Sequence, residues 1–296
     1  MQGRNPCFFL PCALLPVLTF LAGCAPSPQA APATPLSQPS SPSEFDPSVA
    51  GTIRGAVVWD GGLPTSAPFA LHSPPIPSEV MPSSRSRENP NAPVINPLNS
   101  GVGNAVVFLR GVDPRKARPW DHPPVRVEQR DLRFHVLQGE VDSHYGFVRR
   151  GDGVEMVSKE PLFHSLHAGG AAFFTVPFPD PDRPCSRPLK EKGVVELTSA
   201  AGYYWMRAYL FVDDHPYYTR TDGQGKFVLP QVPPGRYEVV CWLPSWIEDH
   251  HDRDPEWAYI TRLSFTKPAE KSTMVLVNPR ETQEVSFTMS REAFSP

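Results

Sequence analysis

No stretch of this chain sustains a helical repeat of apolar residues over three turns. Short β-type runs recur instead, punctuated by Gly, Pro, Asp or Asn about every 8–15 residues. The runs include 52–59 (TIRGAVVW), 104–109 (NAVVFL), 126–129, 133–137, 153–158, 171–176, 193–198 and 207–213 (RAYLFVD). That spacing leaves no room for helices that could cover a sheet, so sheets must cover one another. The predicted fold class is all-β, with a sandwich architecture. Thirty-eight prolines reinforce this, and they gather in 26–47 and 64–97, where regular structure is not expected.

The last third has the clearest punctuation. Thr221-Asp222-Gly223-Gln224-Gly225 is a tight turn before the alternating run Lys226-Phe227-Val228-Leu229. Pro233-Pro234-Gly235 makes the next turn, before Arg236-Tyr237-Glu238-Val239-Val240. The pattern Thr221-Asp222-Gly223-x-Gly225-x-Phe227 followed by Val232-Pro233-Pro234-Gly235-x-Tyr237 resembles the carboxypeptidase regulatory-like domain. That resemblance implies a transthyretin-like (prealbumin-type) sandwich over 214–296 with a non-catalytic role in stabilising, spacing or binding. Upstream, Ala105-Val106-Val107-Phe108-Leu109, Val127-Glu128-Gln129, Leu132-Arg133-Phe134, Leu162-Phe163-His164-Ser165-Leu166-His167 and Trp205-Met206-Arg207-Ala208-Tyr209 resemble bacterial envelope proteins of the methylamine-utilisation-like kind. Their cupredoxin-like Greek-key domain is fused to a regulatory-like module. The resemblance implies a cupredoxin-like sandwich over 51–213, interrupted by a long Pro-rich loop at 65–100.

The first residues read as a secretory leader. Arg4 precedes an apolar run, 8–21, which is too short to span a bilayer stably, since that takes about 20 residues. Leu21-Ala22-Gly23-Cys24 resembles a bacterial lipobox, which implies that 1–23 are removed and that Cys24 is lipidated. Residues 24–50, rich in Pro, Ser and Ala, are expected to form a disordered tether. The expected location is the bacterial cell envelope, lipid-anchored and facing the periplasm or the exterior. Ala25 and Pro26 are not acidic, so the outer membrane is expected where two membranes exist. A formal net charge of −3, with no basic block, argues against nucleic acid as a partner. The expected partners are the membrane, an envelope protein or a glycan.

A blue-copper centre needs a thiolate, two imidazoles and a weak axial ligand. The cupredoxin resemblance implies one imidazole at His164 and the axial thioether at Met206, with a His and a Cys three and six residues before Met206. Those positions are Tyr203 and Ala200. The expected site is therefore degenerate: no cofactor is expected, and copper on His164 and Met206 with another partner is the alternative. Tyr203 and its neighbours are expected to fill the vacated space, with the Tyr203 hydroxyl within reach of His164. Cys185 and Cys241 are candidates for a disulfide in an oxidising compartment, or for two separate thiols. Glu248-Asp249-His250-His251-Asp252-x-Asp254 is dense in metal-type ligands but lacks ligand spacing, so it reads as a solvated loop. Trp242 is expected in the core, whereas Trp246 and Trp257 are candidates for stacking on a sugar. No Gly-x-Ser-x-Gly, His-Glu-x-x-His or phosphate-cradling glycine loop occurs, so no enzymatic activity is expected.

Overall fold

The computed structural model describes residues 44–66, 68–70, 86–256 and 260–294. The leader, Cys24, most of the tether, part of the Pro-rich loop and Trp257 lie outside the described residues. The described chain begins with β1 (Gly51–Trp59), β2 (Phe69–Ala70), β3 (Ser86–Arg87), β4 (Val94–Ile95), β5 (Val102–Gly103) and β6 (Val106–Arg110). It continues with β7 (Val125–Arg130), β8 (Arg133–Gln138), β9 (Val141–Ser143), β10 (Tyr145–Arg149), β11 (Gly153–Ser158) and β12 (His164–Gly170). Then come β13 (Phe174–Phe178), β14 (Cys185–Pro188), β15 (Gly193–Ser199), β16 (Arg207–Asp213) and β17 (Tyr218–Arg220). The last strands are β18 (Lys226–Val232), β19 (Gly235–Leu243), β20 (Glu248–Arg253), β21 (Ile260–Phe265), β22 (Ala269–Val277) and β23 (Thr282–Met289). Arg291–Phe294 adds one 3₁₀ turn.

Four sheets result. Their strand orders are β18-β1-β23, β17-β6-β19-β22, β10-β16-β15-β12-β13 and β14-β11-β7-β8-β9. One apolar core, including Ile53, Val107, Leu109, Phe227, Val239 and Phe287, lies between the first two sheets. A second, including Val127, Phe134, Leu166, Leu197 and Leu210, lies between the other two. The chain is thus an all-β protein of two sandwiches, and all described residues belong to one compact unit, Ser41–Pro296.

A third cluster joins the sandwiches. Val106 and Phe108 on β6 and Val240 and Trp242 on β19 meet Tyr145 and Phe147 on β10 and Tyr209 and Phe211 on β16. Ring centroids lie 5.1 Å apart for both Tyr209–Trp242 and Phe211–Trp242, and Phe108 stacks on Tyr218 at 5.0 Å. Strands β6, β16 and β19 therefore send alternate residues into two different cores. This is why their sequences read as nearly unbroken apolar runs. Each such side chain contributes about 1.5–3 kcal/mol on burial, so the contact holds the sandwiches as one body.

The expected division at 213/214 does not follow the hydrogen bonding. β1 pairs with β18 and runs parallel to β23, and β6 pairs with β17 and β19. The sandwich that contains the last third is thus completed by strands from the beginning of the described chain. The Pro-rich loop is also partly built in. Asn91 is 3 % exposed, and its amide donates to the Tyr209 hydroxyl at 2.9 Å and to the Ser245 carbonyl at 2.8 Å. Asn89 donates to the Trp246 carbonyl at 3.0 Å.

Candidate functional site

The second core ends at the loops that precede β12 and β16, and this end holds the residues on which the sequence reading rested. β12 alternates Leu166 and Ala168 into the core, so His164 faces inward as well; it is fully buried. Its Nε2 lies 2.8 Å from a carboxylate oxygen of Glu160. The Tyr203 ring lies 5.0 Å from the imidazole at 45°. Tyr203 thus packs against the imidazole at a tilt, and Glu160, rather than the Tyr203 hydroxyl, is its hydrogen-bond partner. Burial raises the pKa of that hydroxyl, and the nearby Glu160 carboxylate adds to the effect.

Met206 is 1 % exposed and ends a turn in which its N–H donates to the Tyr203 carbonyl at 2.9 Å. Tyr204 and Trp205 share the same core, and the Trp205 indole donates to the Leu132 carbonyl at 2.9 Å. The turn therefore plugs this end of the sandwich with four large side chains.

Two polar residues of this end escaped the sequence reading. Glu160 fixes His164 and also accepts from the Leu132 N–H. Gln129 follows Val125 and Val127 on the inward face of β7 and is fully buried, and neither end of its amide has a partner among the described residues. The imidazole Nδ1 of His164 is likewise buried without a partner. An inward Gln at the end of the alternating run 125–130 was visible in the sequence as a polar residue at a core position.

The donor set does not fit a blue-copper centre. His164 and Met206 are both buried, the positions that the resemblance assigns to the other two ligands hold Ala200 and Tyr203, and Nε2 of His164 is engaged by Glu160. The Nδ1 of His164 is the unengaged nitrogen of that ring. Among the described residues, no group of three or more His, Cys, Asp or Glu is placed to hold a metal ion.

Cys185 lies on the edge strand β14 opposite Met156, half-buried, and Cys241 lies in the first core. Both are free thiols in different cores, so the disulfide alternative gives way to two separate thiols. Burial pushes the Cys241 thiol up to about 12, which leaves it protonated and inert.

The segment expected to be a solvated loop, Glu248–Arg253, is strand β20, paired with β21. Its acidic and imidazole groups serve one another: His250 lies 3.0 Å from Asp252, and His251 pairs with Glu248. Trp242 is in the core as expected. Trp246 is 5 % exposed, edge-on to Phe294 at 4.6 Å and 5.7 Å from Trp59, so it offers no face to a sugar.

No family model matches the chain, and no curated protein matches it. Among solved structures it is similar in part to amicyanin. An oxidised mutant of amicyanin superposes with a TM-score of 0.24 and 17 % identity over 30 % of this chain and 81 % of that one. A Cu(I) mutant form gives 0.25 and 13 % over 36 % and 97 %, and a reduced mutant gives 0.25 and 15 % over the same shares. At these values the overlap is too slight to assign a site.

Proposed function

We propose that this chain is a non-catalytic envelope lipoprotein, held at a membrane by acylated Cys24, whose folded part is a rigid structural or binding body. On this reading the sandwich around His164 is a cupredoxin-like domain with a degenerate site, and the one around Phe227 is a regulatory-like module. The observation that carries the reading is the closed His164 pocket: the imidazole is buried, bonded to Glu160 and covered by Tyr203, and no thiolate is in the position that the cupredoxin pattern requires. The lipidated surface location rests on the sequence alone.

A second reading, copper held by His164 and Met206, is favoured by one observation, the unpartnered Nδ1. Copper content after loading and dialysis decides between them. Equal copper in the wild type and His164→Ala supports the structural reading, and one equivalent lost in the variant overturns it.

A further inference from the structure

Strands β8 and β9 form a hairpin in register Val136↔Ser143 and Leu137↔Asp142. Carried one step beyond its last pair, that register sets His135 opposite His144, at the corner where the chain leaves one sheet for β10 of the next, and both line the same cavity. Side chains in that relation have Cβ atoms about 4.5–5.5 Å apart. Each imidazole has one nitrogen committed. His135 Nδ1 lies 2.9 and 3.1 Å from the two carboxylate oxygens of Asp142. His144 makes a backbone hydrogen bond with Arg207. Its Nδ1 and the Nε2 of His135 are both buried and have no partner among the described residues.

A carboxylate that accepts the Nδ1 proton of His135 leaves Nε2 as a bare lone pair, and the Arg207 carbonyl does the same for Nδ1 of His144. This is the arrangement by which proteins orient imidazoles for a metal, with an acceptor behind each ring. Asp142 is itself anchored by Arg130 at 2.6 Å. Both rings line one cavity of about 360 Å³ beneath Asn91 and Pro93.

We infer that His135 and His144 form a two-imidazole site for a transition-metal dication of the imidazole-preferring kind, copper or zinc. The cavity supplies the open coordination positions. The inference is independent of the reading of His164, which stands on β12 and is held by Glu160. With only two protein ligands, the remaining positions go to solvent or to an anion. Arg133, which lines the cavity and makes no ion pair among the described residues, favours an anion there. A water molecule bridging the two nitrogens is the rival occupant.

The test is titration of the purified chain with Cu(II) alone and with Zn(II) alone. The background variant is His250→Ala/His251→Ala, which removes the exposed imidazoles of β20. The expected result is one equivalent of either ion, a raised melting temperature, and a Cu(II) spectrum split by two nitrogens. His135→Ala and His144→Ala should each reduce the splitting to one nitrogen and weaken binding more than 10-fold. Asp142→Asn should weaken it by about 10–100-fold, and His164→Ala should leave it unchanged. If His144→Ala does not fold, His135→Gln carries the same expectation. No rise in melting temperature, or binding unaltered in the His135 variants, overturns the inference and assigns the nitrogens to water. Loss of metal in His164→Ala overturns the proposed function instead.

Discussion

Gln129 places an amide in an apolar core with no partner at either end among the described residues. A buried group of this kind forfeits its hydrogen bonds to water and costs about 1–3 kcal/mol, whereas an apolar side chain of similar shape in its place is neutral or stabilising. Gln129→Met should therefore raise stability by about 1 kcal/mol, read as a higher midpoint in urea with an unchanged slope. A lower midpoint would show that the amide has a partner within the core. His164 presents the same problem with a different solution, because Glu160 satisfies one of its nitrogens. The inward direction of Gln129 and His164 follows from alternation in the sequence. Glu160 as the partner did not follow, because it stands four residues before His164 in an irregular segment, where no strand or helix period sets the direction of its side chain.

At the scale of elements, the turn Thr221–Gly225 shows why one glycine is obligatory while its neighbour is free. Asp222 accepts from the N–H groups of Gln224 and Lys226 at 2.8 and 2.9 Å, which closes the turn. Gly225 has φ +80°, and a Cβ there would collide with the Val57 carbonyl of β1 and lie 2.8 Å from the Cα of Gly101. At Gly223 a Cβ would meet nothing within 4 Å. Gly225→Ala should thus lose at least about 2 kcal/mol, combining left-handed strain with a backbone clash. Gly223→Ala should change stability by less than about 0.5 kcal/mol. Paired denaturation curves check both, and equal effects would contradict this account. The turn itself was legible from its Asp and glycines. That the second glycine is pressed against β1, some 170 positions earlier in the chain, was not, because the pairing of β1 with β18 is long-range.

At the scale of the whole molecule, the sandwich around Phe227 depends on β1 and β6 for its strand pairing and for core residues such as Ile53, Val57, Val107 and Leu109. A fragment of residues 214–296 lacks all of these and would expose Phe227, Leu229 and Val239. It should fail to fold alone, giving neither a cooperative melt nor dispersed amide resonances. A cooperative transition in that fragment would show that the last third is self-sufficient. The aromatic contact between Phe211, Tyr209 and Trp242 adds a second dependence, since those side chains complete the layer between the sandwiches.

The sequence by itself determined the class of fold and most of the strands, because a period of two and the turn residues are local properties that neighbours in the chain impose on one another. Counting back from Met206 also gives Ala200 and Tyr203 where the cupredoxin resemblance implies a Cys and a His. Only the tertiary structure decided which sheet each strand joins, that Cys185 and Cys241 lie apart, that Trp246 is buried, and that His135 and His144 line one cavity. Those facts depend on contacts between residues far apart along the chain. Such contacts are fixed by the mutual burial of whole faces, which no local stretch of sequence specifies.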